Sequence, residues 1–167
     1  YSVRVRYVFE NSPMSEKGVK RGYELTHLNG TPVADLIRNG TFNAQINNNS
    51  NSFTFKKYDG TSFTFTANAR EVSTRSVLKS MVITSADFPG LPYPVAYFNY
   101  YAFKAGMLSD IESAMTVFKA ANVRELILDL RYNGGGDGSA AQLLSNYIAP
   151  ASANGKIVAR RKHNDKL

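Results

Sequence analysis

The sequence predicts a mixed fold of class α+β / α/β, in which a β-rich first part is followed by a βαβ second part. Two segments with alternating phenylalanines flank Asp59-Gly60, which is typical of a β-hairpin. Further along, the nearly unbroken apolar run 125–130 precedes three consecutive glycines and a helical pattern. This change from a hairpin to alternating strands and helices indicates two structural units, because such alternation builds parallel sheets.

The first half of the chain contains short strands separated by polar turns. Apolar residues alternate with arginines over 3–7, which indicates a half-exposed strand, and a second strand is predicted over 23–28. A proline begins the segment 32–38 and Asn-Gly follows it, so this segment is predicted to be a short helix. The two hairpin strands then lie on either side of the turn 58–61.

The second half begins after a stretch with weak periodicity, 69–85, where we place the boundary between the units. A strand is predicted over 95–100, and a helix with an apolar stripe follows it. Ser109 and Glu112 have the spacing of a capping box at the start of this helix. Asn122 is expected to end it.

Strand and helix patterns continue to the end of the chain. The apolar run 125–130 predicts a strand covered on both faces, because exposed strands alternate between apolar and polar residues. A helix follows from about residue 139, and a last strand is predicted over 156–160. Consecutive strand–helix–strand units imply a parallel sheet with right-handed crossovers.

Glycines 134–136 lie between the apolar strand and the next helix. Glycine permits backbone conformations that other residues avoid and leaves backbone N–H groups uncovered by a side chain. A strand, a glycine loop and a helix in this order can present N–H donors to an anion or to a developing oxyanion. A tight strand-to-helix turn explains the same local pattern, so the residues alone leave both interpretations open.

Composition excludes several classes of chemistry. The chain has no cysteine, so disulfides, thiol catalysis and cysteine-ligated zinc are excluded. Of the net charge of +7, the tail 156–167 supplies five basic residues against one acid. No RNP-like motif or basic helix accompanies this tail, so we interpret it as a solvated end and predict no nucleic-acid partner.

Targeting signals are not visible in the sequence. It contains neither a signal peptide nor an apolar run long enough to cross a membrane. The chain opens within a strand pattern, and we therefore expect it to be a piece of a longer protein whose leader can lie outside it.

The polar residues that could serve in catalysis also have structural interpretations. Asp129 and Arg131 are expected to form a structural ion pair or hydrogen bonds that fix the loop, because buried charges need partners. Ser139 lacks a Gly-x-Ser-x-Gly elbow, so we interpret it as a helix N-cap. His27 and His163 are far apart in the sequence, and neither a Ser-His-Asp triad nor a metal site is predicted.

Several segments resemble one family over essentially the whole chain. Residues 128–136, Leu-Asp-Leu-Arg-Tyr-Asn-Gly-Gly-Gly, resemble the Asp-Leu-Arg-x-Asn-x-Gly-Gly signature of the C-terminal processing (tail-specific) peptidases, family S41. Residues 95–103 resemble the strand before the first helix of that family's protease core, and 76–80 resemble the connector before it. Residues 12–22 and 24–33 resemble the PDZ domain of the same proteins.

The resemblance implies a division of the chain. A PDZ-like peptide-binding domain, with its N-terminal edge missing, is expected over 1–70, and a connector is expected over 71–90. Residues 91–167 are expected to form the truncated N-terminal part of a ClpP/crotonase-like protease core.

The resemblance also implies a serine peptidase that needs no cofactor or metal. In the family, a serine nucleophile and a lysine general base lie well downstream of the glycine loop, so neither is assigned within this chain. Gly135 and Gly136 match the family's oxyanion-hole positions and are the candidate catalytic residues. The fragment by itself is expected to be inactive, and ligand capture by its PDZ part is expected to be incomplete.

Partners and location follow from the same resemblance. The expected partners are peptides or unfolded proteins, bound as extended strands or through their C-termini. The expected location is the bacterial cell envelope, as a periplasmic protein or an outer-membrane lipoprotein, with membrane contact only through an anchor outside this chain. The Tyr-Asn-Gly-Gly-Gly variant suggests a Bacteroidetes-like enzyme. The oligomeric state is left unpredicted.

Two rival functions remain at this stage. One is a non-catalytic, PDZ-containing peptide-binding scaffold with a degenerate protease core. The other is a nucleotide-binding protein, although the glycines are followed by residues 137–139 out of the dinucleotide-binding register. Arg160 and Arg161, rather than an acid, stand at the end of the next predicted strand.

Overall fold

The structure is a computed structural model that describes residues 2–160 and residue 162. The chain divides into unit 1, Tyr1–Thr74, and unit 2, Arg75–Leu167. Each unit has its own sheet and its own cluster of buried apolar side chains. No helix among the described residues combines the length and the apolar character that crossing a bilayer requires.

Unit 1 is an antiparallel sheet with short helices. Its strands are β1 (Val3–Arg4), β2 (Glu24–Leu28), β3 (Thr31–Pro32), β4 (Ser50–Lys56) and β5 (Ser62–Asn68). Its helices are α1 (Pro13–Glu16), α2 (Val33–Arg38) and α3 (Phe42–Ile46). The strand order is β1-β2-β4-β5, with β3 paired to β2. The predicted strand over 3–7 is therefore only two residues long in its paired part.

The predicted hairpin of unit 1 is confirmed. Phe53 lies opposite Phe65, and Phe55 lies opposite Phe63, in antiparallel register. The Asp59 side chain accepts a hydrogen bond from the backbone N–H of residue 61 at 2.9 Å, which closes the turn. Period-two alternation directs the β4 phenylalanines into the core of the unit, and the aromatic cross-strand pairs stabilise the register.

Unit 2 is a three-stranded sheet with two longer helices. Its strands are β6 (Val77–Ile83), β7 (Val95–Tyr100) and β8 (Glu125–Asp129), in the order β6-β7-β8. Its helices are α4 (Leu108–Ala120) and α5 (Gly138–Ile148), and one-turn 3-10 helices cover Ala105–Met107 and Ala151–Ala153. Strand β6 is antiparallel to β7, whereas β7 and β8 are parallel and joined through α4. The predicted parallel βαβ unit is thus confirmed.

The core of unit 2 lies on one face of this sheet. Ala96, Phe98 and Tyr100 of β7 are completely buried there. The apolar stripe of α4 packs against them, and the rings of Phe98 and Phe118 meet edge to face with centroids 6.0 Å apart. Burial of one face of β7 beneath α4 holds the carboxyl end of that strand in place.

The prediction that β8 is covered on both faces is wrong for the described residues. Leu126 and Leu128 pack against the core, but the side chain of Ile127, on the opposite face, is 50% exposed. Strand β8 is also an edge of the described sheet. Apolar residues at successive positions favour a strand, but they do not show that both faces of that strand are covered.

Two other predicted segments differ from the structure. The stretch 71–90, expected to be a connector, contains strand β6, which pairs with β7. The last strand expected over 156–160 is not formed, and Ile157 and Val158 are exposed there.

Both predicted serine caps are also corrected. Helix α4 begins at Leu108, directly after a 3-10 turn, so Ser109 lies inside its first turn and no side chain caps it. Helix α5 begins at Gly138 with Asp137 as its N-cap, which places Ser139 inside the helix. The predicted end at Asn122 is confirmed, because α4 stops at residue 120 and Asn122 has a φ of 52°.

Candidate functional site

The glycine loop begins where the carboxyl ends of β7 and β8 lie side by side. The parallel register places Asn99 opposite Asp129, so the segments that leave both strands run in the same direction. Phe103, beyond the end of β7, forms an isolated parallel bridge with Gly136. The loop 130–137 is thereby held against the segment that follows β7.

A buried carboxylate fixes the start of the loop. Asp129 is 8% exposed, and both of its oxygens accept hydrogen bonds from the Arg131 guanidinium, at 2.9 Å from Nε to Oδ1 and 2.6 Å from Nη2 to Oδ2. The Tyr97 hydroxyl donates to Oδ2 at 2.6 Å, and the backbone N–H of Arg131 donates to Oδ1 at 2.9 Å. The expected structural ion pair is confirmed.

These contacts determine the charge state of the cluster. Hydrogen bonds from Arg131, and then from Tyr97, hold the pKa of Asp129 well below its usual range. The same carboxylate raises the pKa of Arg131 and that of Tyr97. Asp129 is therefore ionised at neutral pH and suits a structural role better than proton transfer.

Asn133 connects the loop to strand β7. Its side-chain amide donates from Nδ2 to the backbone carbonyl of Tyr100 at 2.9 Å. Its Oδ1 accepts the backbone N–H of Gly135 at 2.7 Å. One side chain thus joins the last residue of β7 to the middle of the glycine loop.

Gly135 and Gly136 adopt conformations that favour glycine, with φ of 93° and 138°. The Phe103 N–H donates to the Gly135 carbonyl at 3.0 Å, and the Asp137 N–H donates to the Phe103 carbonyl at 2.7 Å. A Cβ added to Gly136 would overlap that Phe103 carbonyl group. Glycine at position 136 therefore permits the close approach of the two backbone segments.

The two candidate glycines differ in their N–H groups. The Gly135 N–H is engaged by Asn133, whereas the Gly136 N–H meets no acceptor among the described residues. Because the Gly135 carbonyl and the Gly136 N–H belong to one trans peptide, they point in opposite directions. The carbonyl faces Phe103, so the Gly136 N–H faces away from it and can donate to a ligand.

The start of helix α5 follows immediately. The Asp137 carboxylate accepts the backbone N–H of Ser139 at 2.7 Å, and the Ser139 hydroxyl donates to the same oxygen. This hydroxyl is therefore held within the cap and not placed against an imidazole base. The amino terminus of a helix carries a partial positive charge, which favours an anion at this end of the loop.

His27 lies in β2 of unit 1, with Nδ1 3.1 Å from Oγ1 of Thr26. His163 lies outside the described residues. Within the part of the chain that the structure describes, no group of three acidic or histidine side chains could hold a metal ion.

Sequence reasoning missed three residues that shape the loop, namely Tyr97, Asn99 and Phe103. Tyr97 and Asn99 lie on the β7 face opposite the core, and Asn99 donates from Nδ2 to the Asp129 carbonyl at 3.0 Å. The period-two pattern of β7 places both residues on one face of the strand. Their proximity to Asp129 could be predicted only once the parallel pairing of β7 with β8 is known. Phe103 contacts the loop through its backbone N–H and carbonyl, so the identity of its side chain could not have indicated this role.

Comparison with known proteins gives the following matches. Residues 94–166 match the model of peptidase family S41. No curated protein sequence matches the chain. The solved structure of a photosystem II D1 C-terminal processing protease superposes with a TM-score of 0.57 and 18% identity, over 86% of this chain and 39% of that chain.

A second solved structure, mature CPAF complexed with lactacystin, matches with a TM-score of 0.38 and 12% identity. That match covers 86% of this chain and 43% of the other. The chain thus spans about two fifths of the length of these two proteins. At this identity, the likeness to the D1 processing protease establishes a shared fold.

Replacing Gly136 by alanine is expected to destabilise unit 2 by roughly 1–3 kcal/mol, because the new Cβ meets the Phe103 carbonyl and φ is unfavourable. Thermal unfolding and amide exchange of residues 130–137 measure the effect. Gly134→Ala is the matched control, since no atom lies within 4 Å of its Cβ position. Equal stability of the two variants would contradict the prediction.

Replacing Asp129 by asparagine is expected to lower the free energy of unfolding by roughly 1–3 kcal/mol at pH 7, because hydrogen bonds to a buried charge are lost. The pKa of Asp129 is lower in the folded than in the unfolded state. Its stabilisation is therefore complete above pH about 4 and decreases as the pH falls below that value.

Urea unfolding of wild type and Asp129→Asn at several pH values tests this dependence. The difference between the two proteins should shrink as the pH is lowered from about 4 towards 2. Asp35→Asn, which removes an exposed ion pair with Arg38, is the control and should have little effect. A difference that stays constant down to pH 2 would rule out the assigned cause.

Proposed function

Since residues 94–166 match the model of peptidase family S41, we propose that this chain serves the hydrolysis of peptide bonds, with loop 133–136 stabilising the oxyanion. The observation that carries the proposal is the backbone N–H of Gly136, which has no acceptor among the described residues. The N–H and the carbonyl of the preceding residue, Gly135, are both engaged, by Asn133 and by Phe103. A donor held in this way needs little reorganisation when charge develops on a substrate oxygen.

The chemistry assigned to the loop is electrostatic. Attack on a peptide carbonyl converts its oxygen into an anion, and a hydrogen bond from Gly136 would strengthen as that charge develops. The amino terminus of α5, which begins at Gly138, adds a favourable dipole. Removing one such donor from an acyl-transfer site typically lowers kcat about 10²–10³-fold.

The nucleophile and base are proposed to be a serine and a lysine outside residues 1–167. A serine hydroxyl is a weak nucleophile until a neighbouring base removes its proton. A lysine performs this role only when burial lowers its pKa, so that the neutral amine is populated near pH 7. Within the described residues, Ser139 is bound to Asp137 and does not serve as this nucleophile.

Cleavage by the longer protein tests the proposal. The gene product that extends beyond residue 167 is expected to cleave an unfolded protein, and replacement of its nucleophilic serine by alanine should abolish cleavage. Product formation by mass spectrometry is the measurement, with Ser145→Ala as a control that leaves the rate unchanged. Ser145 lies on α5, where its hydroxyl bonds the Ala141 carbonyl.

The alternative function, a non-catalytic peptide-binding scaffold, predicts a different outcome. In that case the longer protein would bind unfolded polypeptides without cleaving them, whatever serine is replaced. Cleavage that survives every serine replacement would reject the serine mechanism.

Unit 1 is proposed to bind the substrate as a PDZ-like domain. The support is the sequence resemblance together with an antiparallel sheet that has β1 and β5 at its edges in the described part. An extended peptide can add to a sheet edge through backbone hydrogen bonds, and side-chain pockets and a carboxylate-binding turn then give selectivity.

A peptide titration followed by NMR tests the role of unit 1. A peptide with a free C-terminal carboxylate is expected to shift resonances of residues 2–74, and the same peptide with a C-terminal amide should bind about tenfold more weakly. Shifts confined to residues 75–160, or equal affinity for the two peptides, would contradict carboxylate recognition by unit 1.

A further inference from the structure

We propose that Asn133 is a positioning residue that sets which loop N–H is available to the oxyanion. The inference rests on the proposed function, because it assigns a role within the same site. Asn133 touches no reacting group in this assignment. It acts on the backbone that carries the donor.

The Asn133 side chain is held at both of its polar atoms. Nδ2 donates to the carbonyl of Tyr100, the last residue of β7, and Oδ1 accepts from the N–H of Gly135. The orientation of the amide is determined by these partners, because a flipped side chain would set donor against donor and acceptor against acceptor. Since Tyr100 is completely buried, the side chain is anchored on the rigid part of unit 2.

Two successive peptide planes of the loop are fixed as a result. The plane between residues 134 and 135 is fixed by Asn133 through the Gly135 N–H. The plane between residues 135 and 136 is fixed by the Phe103 N–H, which binds the Gly135 carbonyl at 3.0 Å. Because both planes that flank Gly135 are held, the direction of the Gly136 N–H is determined before substrate arrives.

The amide side chain also separates the roles of the two glycines. With its N–H engaged by Asn133, Gly135 does not donate to a ligand in this conformation, and Gly136 does. Aspartate at position 133 can accept from Gly135 but cannot donate to the Tyr100 carbonyl. Alanine can do neither, so it frees Gly135 and releases the loop from β7.

The kinetic test uses the longer protein with Asn133→Ala and Asn133→Asp. A misdirected donor lowers transition-state stabilisation, so kcat is expected to fall roughly 10- to 100-fold while KM changes less than about twofold. The inhibition constant of a peptide aldehyde, which forms a tetrahedral adduct, should rise by the same factor. Binding of the corresponding unreactive peptide amide should not change.

Asn146→Ala, an exposed asparagine on α5, is the matched control and should retain wild-type kcat. Equal weakening of the aldehyde and the amide peptide would show a general loss of structure and overturn the positioning role. An unchanged kcat in Asn133→Ala would also overturn it, while cleavage by the parent protein would leave the proposed function standing.

Amide hydrogen exchange on the full 167-residue chain provides a readout that does not depend on activity. In the wild-type chain the Gly135 amide should exchange at least about tenfold more slowly than the Gly136 amide, because a hydrogen-bonded amide exchanges only after opening. In Asn133→Ala the two amides should exchange at similar rates. Equal rates in the wild-type chain would overturn the inference even if the parent protein proves to be a peptidase.

Discussion

The parallel pairing of β7 with β8 is the constraint on which the rest of unit 2 depends. It brings two carboxyl ends to one edge of the sheet, where the strand-end residues Asn99 and Asp129 lie opposite each other. Contacts between Tyr97 and Asp129 and between Asn133 and Tyr100 then cross from one strand end to the segment that leaves the other. Ligand sites of parallel sheets commonly form at such edges, because two outgoing loops diverge there.

Side chains fix the first part of the loop, and backbone contacts fix its last part. Asp129, Arg131 and Tyr97 form the charged cluster at the root of the loop, and Asn133 holds its middle. The bridge between Phe103 and Gly136 then holds its far end without any side-chain contribution. The Gly136 N–H is presented as a donor because the N–H and the carbonyl of Gly135 beside it already have partners.

Local sequence signals were sufficient for some parts of the molecule and insufficient for others. The phenylalanine hairpin, the parallel β7–α4–β8 unit and the Asp129–Arg131 pair were predicted, because each depends on short-range pattern or on the need of a buried charge for a partner. Strand β6 and the exposed face of β8 were not, since they depend on contacts between residues distant in the sequence. The helix starts were also missed, because α4 begins without a side-chain cap and Asp137, rather than Ser139, caps α5. For the loop, the glycines were visible in the sequence, but the direction of the Gly136 N–H depends on Phe103, a residue about 30 positions away.

Asp129, Arg131 and Tyr97, the cluster at the root of the loop, keep their charges over a wide range of pH. Hydrogen bonds from Arg131 lower the pKa of Asp129, and the hydrogen bond to Asp129 raises the pKa of Tyr97 above its usual value near 10. No proton therefore enters or leaves these groups between about pH 4 and pH 10. The net charge of the cluster is therefore constant over this pH range. Any pH optimum in the rate of cleavage within the range reports the titration of groups other than these three.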